Sequence, residues 1–339
     1  MLKKILYTIL FVILMVSGCG KTEKDKTNSV SGKKIGLVFD VGGKGDKSFN
    51  DAAAKGLDSA KKILGIETII IDPGEGFDRE SALRKLASNP EVGLIFGVGF
   101  IFTDDINAVS KEFPDKKFVC IDYSVGAQKN IAGNLKAIDF KEQEGCFLIG
   151  VLAGLLTKSN NVGFIGGMES PLIKKFETGY SDGIKYINPK CNVKIAYVGV
   201  IGEAFKNPGK AKEIALSQYN SNSDIIFHAS GLSGMGLFEA VKETKKLAIG
   251  VDLDQYGEAP GFVLTSMTKQ VTSVVFDAIK EFITGNFKTG VYTLGLKEKG
   301  IDYVYDDNNK NLIPKDIRKK VEEVRNKIIS GEIIVKDKP

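Results

Sequence analysis

Asp40, Asp72, Asp122 and Asp252 each stand at or just beyond the end of an apolar run, with Asp254 two residues after the last. An ionised carboxylate is a two-oxygen acceptor, able to take both vicinal hydroxyls of a ribose or the N–H groups of a base edge. Aspartate also caps helices in strand-to-helix turns, an alternative that stays open for Asp72 and Asp254 above all. Asp40 belongs to the segment GLVFDVGGKGDKSFND (Gly36 to Asp51), where an apolar run meets a carboxylate, a glycine-rich turn and Phe49-Asn50 at a helix start. In open α/β sheets ligands sit outside the carboxyl ends of strands. One edge therefore offers an acceptor, a stacking ring and an amide.

There is no tryptophan, so an aromatic clamp must come from phenylalanine or tyrosine. Phe49, Phe100 and Phe205 lie in or near segments that follow strands, whereas Phe118, Phe164 and Phe227 lie inside apolar runs and read as core; Phe49, opening an amphipathic helix, also fits a core role. Catalytic motifs are missing. His228 is the single histidine, inside the apolar run IIFHAS, which excludes a histidine-based triad and a multi-histidine metal site. Gly42 to Ser48 has Asp46 before Lys47 and Ser48, so it is not a Walker loop, and Gly97-Val98-Gly99 lacks the third glycine of a dinucleotide fingerprint. Cys120, Cys146 and Cys191 are widely spaced, two of them in apolar runs, and read as small core residues. No cofactor and no enzymatic activity are expected.

Short apolar, β-branched runs alternate with helical patterns from Lys34 onward: Ile35 to Asp40, Thr68 to Asp72, Val92 to Gly97, Phe118 to Asp122, Val162 to Ile165, Val193 to Val200, Ile225 to Ala229 and Leu247 to Val251. Continuous rather than alternating hydrophobicity is what parallel strands covered on both faces show, and the intervening segments supply crossover helices. Phe147 to Leu156 is apolar enough to require a buried helix. A second strand-helix series starts at Asn161, much as the first starts at Lys34, which implies two similar lobes joined near residues 135 to 140, with the chain crossing back after Val263. A cleft between lobes is the expected ligand site.

The first residues read as a leader. Lys3 and Lys4 precede an apolar run from Ile5 to Val16, too short for a comfortable membrane span, and Val16-Ser17-Gly18-Cys19 resembles the lipobox of bacterial lipoproteins. Residues 1–18 are thus expected as a signal peptide, Cys19 as the acylated residue, and 19–33 as a flexible tether. The net charge is +5, and of 47 basic residues only Arg79, Arg84, Arg318 and Arg325 are arginine, the lysines being scattered. That distribution is not the footprint of a nucleic-acid binder.

Several blocks in order resemble the basic membrane protein (Bmp) family of bacterial lipoproteins, which are substrate-binding proteins of ABC transporters and include a purine nucleoside receptor. The blocks are DVGGKGDKSFN (Asp40 to Asn50), GFIGG (Gly163 to Gly167), SGLSGMG (Ser230 to Gly236), IGVDLDQ (Ile249 to Gln255) and LTSMTK (Leu264 to Lys269). The resemblance implies a two-lobed periplasmic-binding-protein fold of the first type, each lobe a parallel sheet flanked by helices: 34–138 plus about 268–305, and 139–267 plus about 306–339. It implies Asp40 and Asn50 toward a base, Phe49 stacking, Phe205 as a second aromatic, Asp122 near the ligand, and Gly231, Asp252 and Lys269 facing a ribose; proximity to the strand end favours Asp252 over Asp254. The implied partners are a purine nucleoside (adenosine, guanosine or inosine) and an ABC permease, at a cell membrane to which the lipid anchors the protein on its outer side. Two other readings are a surface adhesin binding host macromolecules and a receptor for another small ligand such as a sugar.

Overall fold

A computed structural model describes residues 32–72, 78–127 and 130–337. The expected signal peptide, Cys19 and nearly all of the tether lie outside the described residues.

The chain runs through β1 (Lys34–Val38), α1 (Phe49–Leu64), β2 (Thr68–Ile71), α2 (Arg79–Ser88), β3 (Val92–Val98), α3 (Thr103–Glu112), β4 (Lys117–Ile121) and β5 (Leu135–Phe140). It continues with α4 (Glu142–Leu156), β6 (Asn161–Met168), α5 (Pro171–Ile187), β7 (Asn192–Gly199), α6 (Pro208–Asn220), β8 (Ile225–Ala229), α7 (Met235–Thr244), β9 (Leu247–Asp252) and β10 (Val263–Lys269). The last elements are α8 (Val271–Ile283), β11 (Gly290–Leu294), β12 (Ile301–Tyr303) and α9 (Lys315–Ile329). Two six-stranded sheets result, ordered β11-β5-β4-β3-β1-β2 and β12-β10-β9-β8-β6-β7. The first is parallel throughout and the second parallel except for the antiparallel pair β10 and β12. Central strands such as β3 and β8 are buried along their whole length, which is why they read as unbroken apolar runs.

Each apolar run singled out above forms a strand, but the sheets contain more. Residues 135–140, expected as the joint between lobes, form β5 within the first sheet. Its Lys136 pairs with Glu281 of α8 at 2.6 Å and its Asp139 with Lys175 of α5 at 2.8 Å, so the polar residues that break the run are satisfied by distant partners. The segment expected with the first lobe up to about residue 305 divides earlier: Ile301–Tyr303 pairs with β10 of the second sheet. It is held there by α9, through the Tyr303 hydroxyl on Glu322 at 2.6 Å and Arg325 on Asp302 at 2.5 Å.

The chain thus passes between lobes three times, at Phe140 to Glu142, Lys269 to Val271 and Leu294 to Ile301. Beside these crossings α4 and α5 pack with their backbones nearly touching. A Cβ on Gly150 would lie 2.2 Å from the Tyr180 carbonyl oxygen, and one on Gly183 would lie 2.1 Å from that of Phe147, so only glycine permits this approach. The close packing fixes Glu142, at the start of α4, relative to Lys175 on α5.

Candidate functional site

The carboxyl ends of both sheets face one cleft between the lobes, the expected place for a small-molecule site. All eight residues expected at a ligand line it: Asp40, Phe49, Asn50, Asp122, Phe205, Gly231, Asp252 and Lys269. Asp72 and Asp254 do not. Asp72 accepts from the amide of Lys44, 28 residues earlier, at 3.4 Å, and Asp254 from the Tyr256 amide at 3.0 Å in a local turn.

On the first lobe, the loop between β1 and α1 is organised by Asp46, which is buried and accepts from the backbone N–H groups of Ser48 (2.9 Å), Asn50 (2.9 Å) and Asp51 (3.0 Å). This side chain caps α1 and presents Phe49 to the cleft. Asn50 commits half of its amide to the loop: its Oδ1 accepts from the Asp40 amide at 3.0 Å and its Nδ2 donates to Asp46 at 3.1 Å. One N–H and one lone pair remain for a ligand. Asp40 accepts from the Val41 amide at 2.6 Å and lies against Gly99, where a Cβ would come within 2.0 Å of Oδ2. Gly99, at φ +117°, is therefore required for Asp40 to sit where it does. Burial pushes the Asp40 carboxyl up to about 7 against the pull of the Val41 amide, with the Asp122 charge adding to the rise. Burial likewise lifts Asp46 to about 6.

Lys269, at the end of β10, is buried and donates to both oxygens of Asp122 at 2.6 Å and to Glu142 at 3.0 Å. Its Nζ also lies 4.9 Å from the ring centre of Phe140 and 5.1 Å from that of Phe49, within cation–π range. Burial disfavours its charge, but Asp122, Glu142 and Asp252 outweigh that and hold Lys269 above the ordinary lysine range. Glu142 is shared with Lys175 at 3.3 Å, and Lys175 reaches Asp139 at 2.8 Å. The chain of charges Asp122, Lys269, Glu142, Lys175 and Asp139 runs through the crossings between lobes. Asp252 accepts from the Ser48 hydroxyl at 2.5 Å; burial raises its carboxyl, with Lys269 and Ser48 opposing.

Phe205 occupies a 3₁₀ turn, Gly202–Lys206, its ring over Gly167, where a Cβ would lie 2.3 Å from Cε1. That close approach accounts for a glycine in the GFIGG block. Across the cleft Phe205 meets Phe100 edge to face, ring centres 6.5 Å apart. Gly231, at φ +55°, starts the 3₁₀ turn after β8. Phe100, a clamp candidate from its place after a strand, also lines the cleft, whereas sequence reasoning missed the cleft roles of Asp46 and Phe176 and the link through Glu142. Only Asp46 carried a local signal, an aspartate two residues before a helix's N-cap serine. Among the described residues no group of histidine, cysteine and carboxylate side chains forms a metal site, and Cys120, Cys146 and Cys191 are buried and unpaired.

Comparison with known proteins adds a family. A family model, Bmp, described as "ABC transporter substrate-binding protein PnrA-like", matches residues 33–339. The CD4+ T-cell-stimulating antigen of Listeria monocytogenes is 32% identical over the full length of both chains. Basic membrane protein A1 of Borrelia garinii is 33% identical over 98% of this chain and 96% of its own. An uncharacterized lipoprotein of Pyrococcus abyssi is 35% identical over 87% of this chain and 74% of its own. A solved ABC-transporter solute-binding protein from Aeropyrum pernix superposes with a TM-score of 0.81 at 28% identity, covering 90% of this chain and 94% of that one.

Proposed function

The chain belongs to the Bmp family of ABC transporter substrate-binding proteins, and we propose that its cleft captures a nucleoside of the purine class and delivers it to a membrane permease. A solute-binding role follows from the family; the identity of the solute rests on the cleft. The observation that carries it is the pairing, in one small space, of four phenylalanine rings with four carboxylates and a single lysine: Phe49, Phe100, Phe176 and Phe205 beside Asp40, Asp46, Asp122, Asp252 and Lys269. A flat heterocycle is the ligand shape such rings favour, since stacking contributes roughly 1 to 3 kcal/mol per base. Its polar edge meets Asp40 and the spare half of Asn50, and its sugar hydroxyls meet Asp252 and Gly231, beside the charge of Lys269, whose three donors are held by Asp122 and Glu142. The excess of buried carboxylates disfavours an added phosphate.

The mechanism is capture and release. A ligand bridging the lobes favours the closed form by its differential affinity, and a permease reads that form. Relatives named as lipoproteins and membrane proteins support attachment of the chain to the outer face of a membrane through Cys19; among the described residues no helix is long and apolar enough to cross one. Thermal melting of the stripped protein tests the reading. Adenosine, guanosine or inosine at 100 times its Kd adds about 2.7 kcal/mol of stability and raises Tm by roughly 5 °C or more. Ribose and nucleoside monophosphates are expected to give little shift. A shift with ribose alone, or none with any nucleoside, overturns the proposal.

A further inference from the structure

The single histidine does not line the cleft, yet its hydrogen bonds lead across it. The Val251 N–H lies 2.8 Å from Oε1 of Gln255. A backbone amide only donates, so the atom facing it must be the carbonyl oxygen, and the amide nitrogen of Gln255 must point the other way. There Nε2 donates to the carbonyl oxygen of Lys47, on the opposite lobe, at 3.0 Å. His228 Nε2 stands 2.9 Å from the same Oε1 and so carries the ring proton. Nδ1 is then the acceptor for the Ser230 hydroxyl at 3.3 Å, consistent with burial lowering the imidazole to about 4 and keeping it neutral. The Gln255 backbone N–H is held by Ser266 at 3.0 Å. One side chain, its orientation fixed by its own lobe, thus grips the main chain of the other.

A second bond lies beside it. Ser48 is the N-cap residue of α1, where a serine hydroxyl ordinarily accepts from the helix. It makes no such bond here, because Asp46 caps the helix and leaves the Ser48 hydroxyl free to reach Asp252 at 2.5 Å. Both contact points have left-handed backbone, Lys47 at φ +56° and Asp252 at φ +65°, a conformation that non-glycine residues adopt where surrounding contacts hold it.

We propose that Gln255, oriented by His228, and Ser48 form an interlobe latch: they are positioning residues that fix the register of closure and favour the closed form whether or not ligand is bound. The latch deepens the capture-and-release reading but does not depend on which solute the cleft takes. It sets where Phe49, carried by the latched loop, meets the second lobe. The neutral Gln255 bond contributes a net amount that corresponds to about a three- to tenfold change in the closed population, and the Ser48 bond, made to a carboxylate, at least as much.

The test is trapping of closure without ligand. A Cβ on Gly202 would lie 3.3 Å from Val41 Cγ2 on the other lobe, so cysteines at 41 and 202 meet only when the lobes close. In the full chain carrying Val41→Cys and Gly202→Cys, stripped of ligand by refolding, the rate of the 41–202 disulfide under mild oxidant is read by peptide mapping. Gln255→Glu keeps the acceptor for Val251 and His228 but turns the donor facing the Lys47 carbonyl into an acceptor; Ser48→Ala deletes the second bond. Gln255→Glu is expected to slow trapping about three- to tenfold and Ser48→Ala by at least about threefold, with Tm near that of the parent. If Gln255→Glu melts far below the parent, Ser48→Ala decides alone. Trapping within twofold of the parent in the folded variants overturns the latch, and does so independently of any result with nucleosides.

Discussion

Asp122 and Asp252 occupy equivalent places in the two lobes. The first follows β4 and the second ends β9, each the third strand from the edge formed by the last strand added to its sheet. Both are buried and both adopt positive φ, 63° and 65°, a conformation for which aspartate and asparagine are the usual non-glycine residues. Their partners differ. Asp122 has both oxygens on Lys269, whereas Asp252, among the described residues, takes one hydrogen bond, from Ser48. A repeated backbone turn thus supplies two acids at the cleft. The side chain opposite each decides whether it anchors a cation or keeps lone pairs for a ligand.

The comparison breaks most visibly at the cation. Lys269→Met removes the positive charge between Asp122 and Glu142, both buried, and loss of one partner from a buried ion pair costs about 3–5 kcal/mol. Urea unfolding of Lys269→Met is expected to show that loss, along with loss of any ligand-induced shift. A change under about 1 kcal/mol would mean that water reaches the pair and screens it, and that Asp122 is no more tied than Asp252.

The next test sharpens the difference in roles. Asp252→Ala removes a carboxylate with spare acceptor capacity, and isothermal titration is expected to show at least tenfold weaker nucleoside binding, about 1.4 kcal/mol, with Tm nearly intact. Phe49→Ala is expected to behave the same way, through lost stacking rather than lost hydrogen bonds. Asp122→Ala, by contrast, leaves two of the three Lys269 donors without acceptors, with Glu142 alone paired to it, and lowers Tm. Should Asp252→Ala or Phe49→Ala unfold the protein instead of weakening binding, those side chains belong to the core.

The legible and illegible parts of the chain divide along the same line between local and distant partners. Strands covered on both faces, such as β3 and β8, declare themselves as apolar runs. By contrast, β5 and β10 are interrupted by Lys136, Asp139, Thr265, Ser266 and Lys269, whose partners lie far along the chain. Thr265 donates to the Val304 carbonyl at 2.7 Å, and Lys269 reaches Glu142 from 127 residues away. No periodicity encodes such pairings. The cleft residues were easier to find, because strand-end acids and the SFN helix start sit in compact blocks. What holds them was not: Asp46 reads as an acid spoiling a phosphate loop until the fold shows it capping α1, and nothing in the sequence links Glu142 to Lys269, 127 residues away.

Asp40 tests the smallest expected difference. Its carboxyl rises from the ordinary 3.8 to about 7, chiefly because it is buried and has no lysine of the kind Asp122 enjoys. A folded-state value above the unfolded one means that the folded protein binds more protons between these limits, so stability falls as pH rises from about 4 to 7 and levels off above. Asp40→Asn removes that dependence: Tm of variant and parent should agree near pH 4, and the variant should gain on the parent up to pH 7. Asp40 keeps part of its surface in water, where screening reduces the gain to under about 1 kcal/mol. Differential scanning calorimetry at matched ionic strength measures it. A Tm difference that stays constant with pH would mean that Asp40 is ionised across the range, and that a cation or water compensates it as Lys269 compensates Asp122.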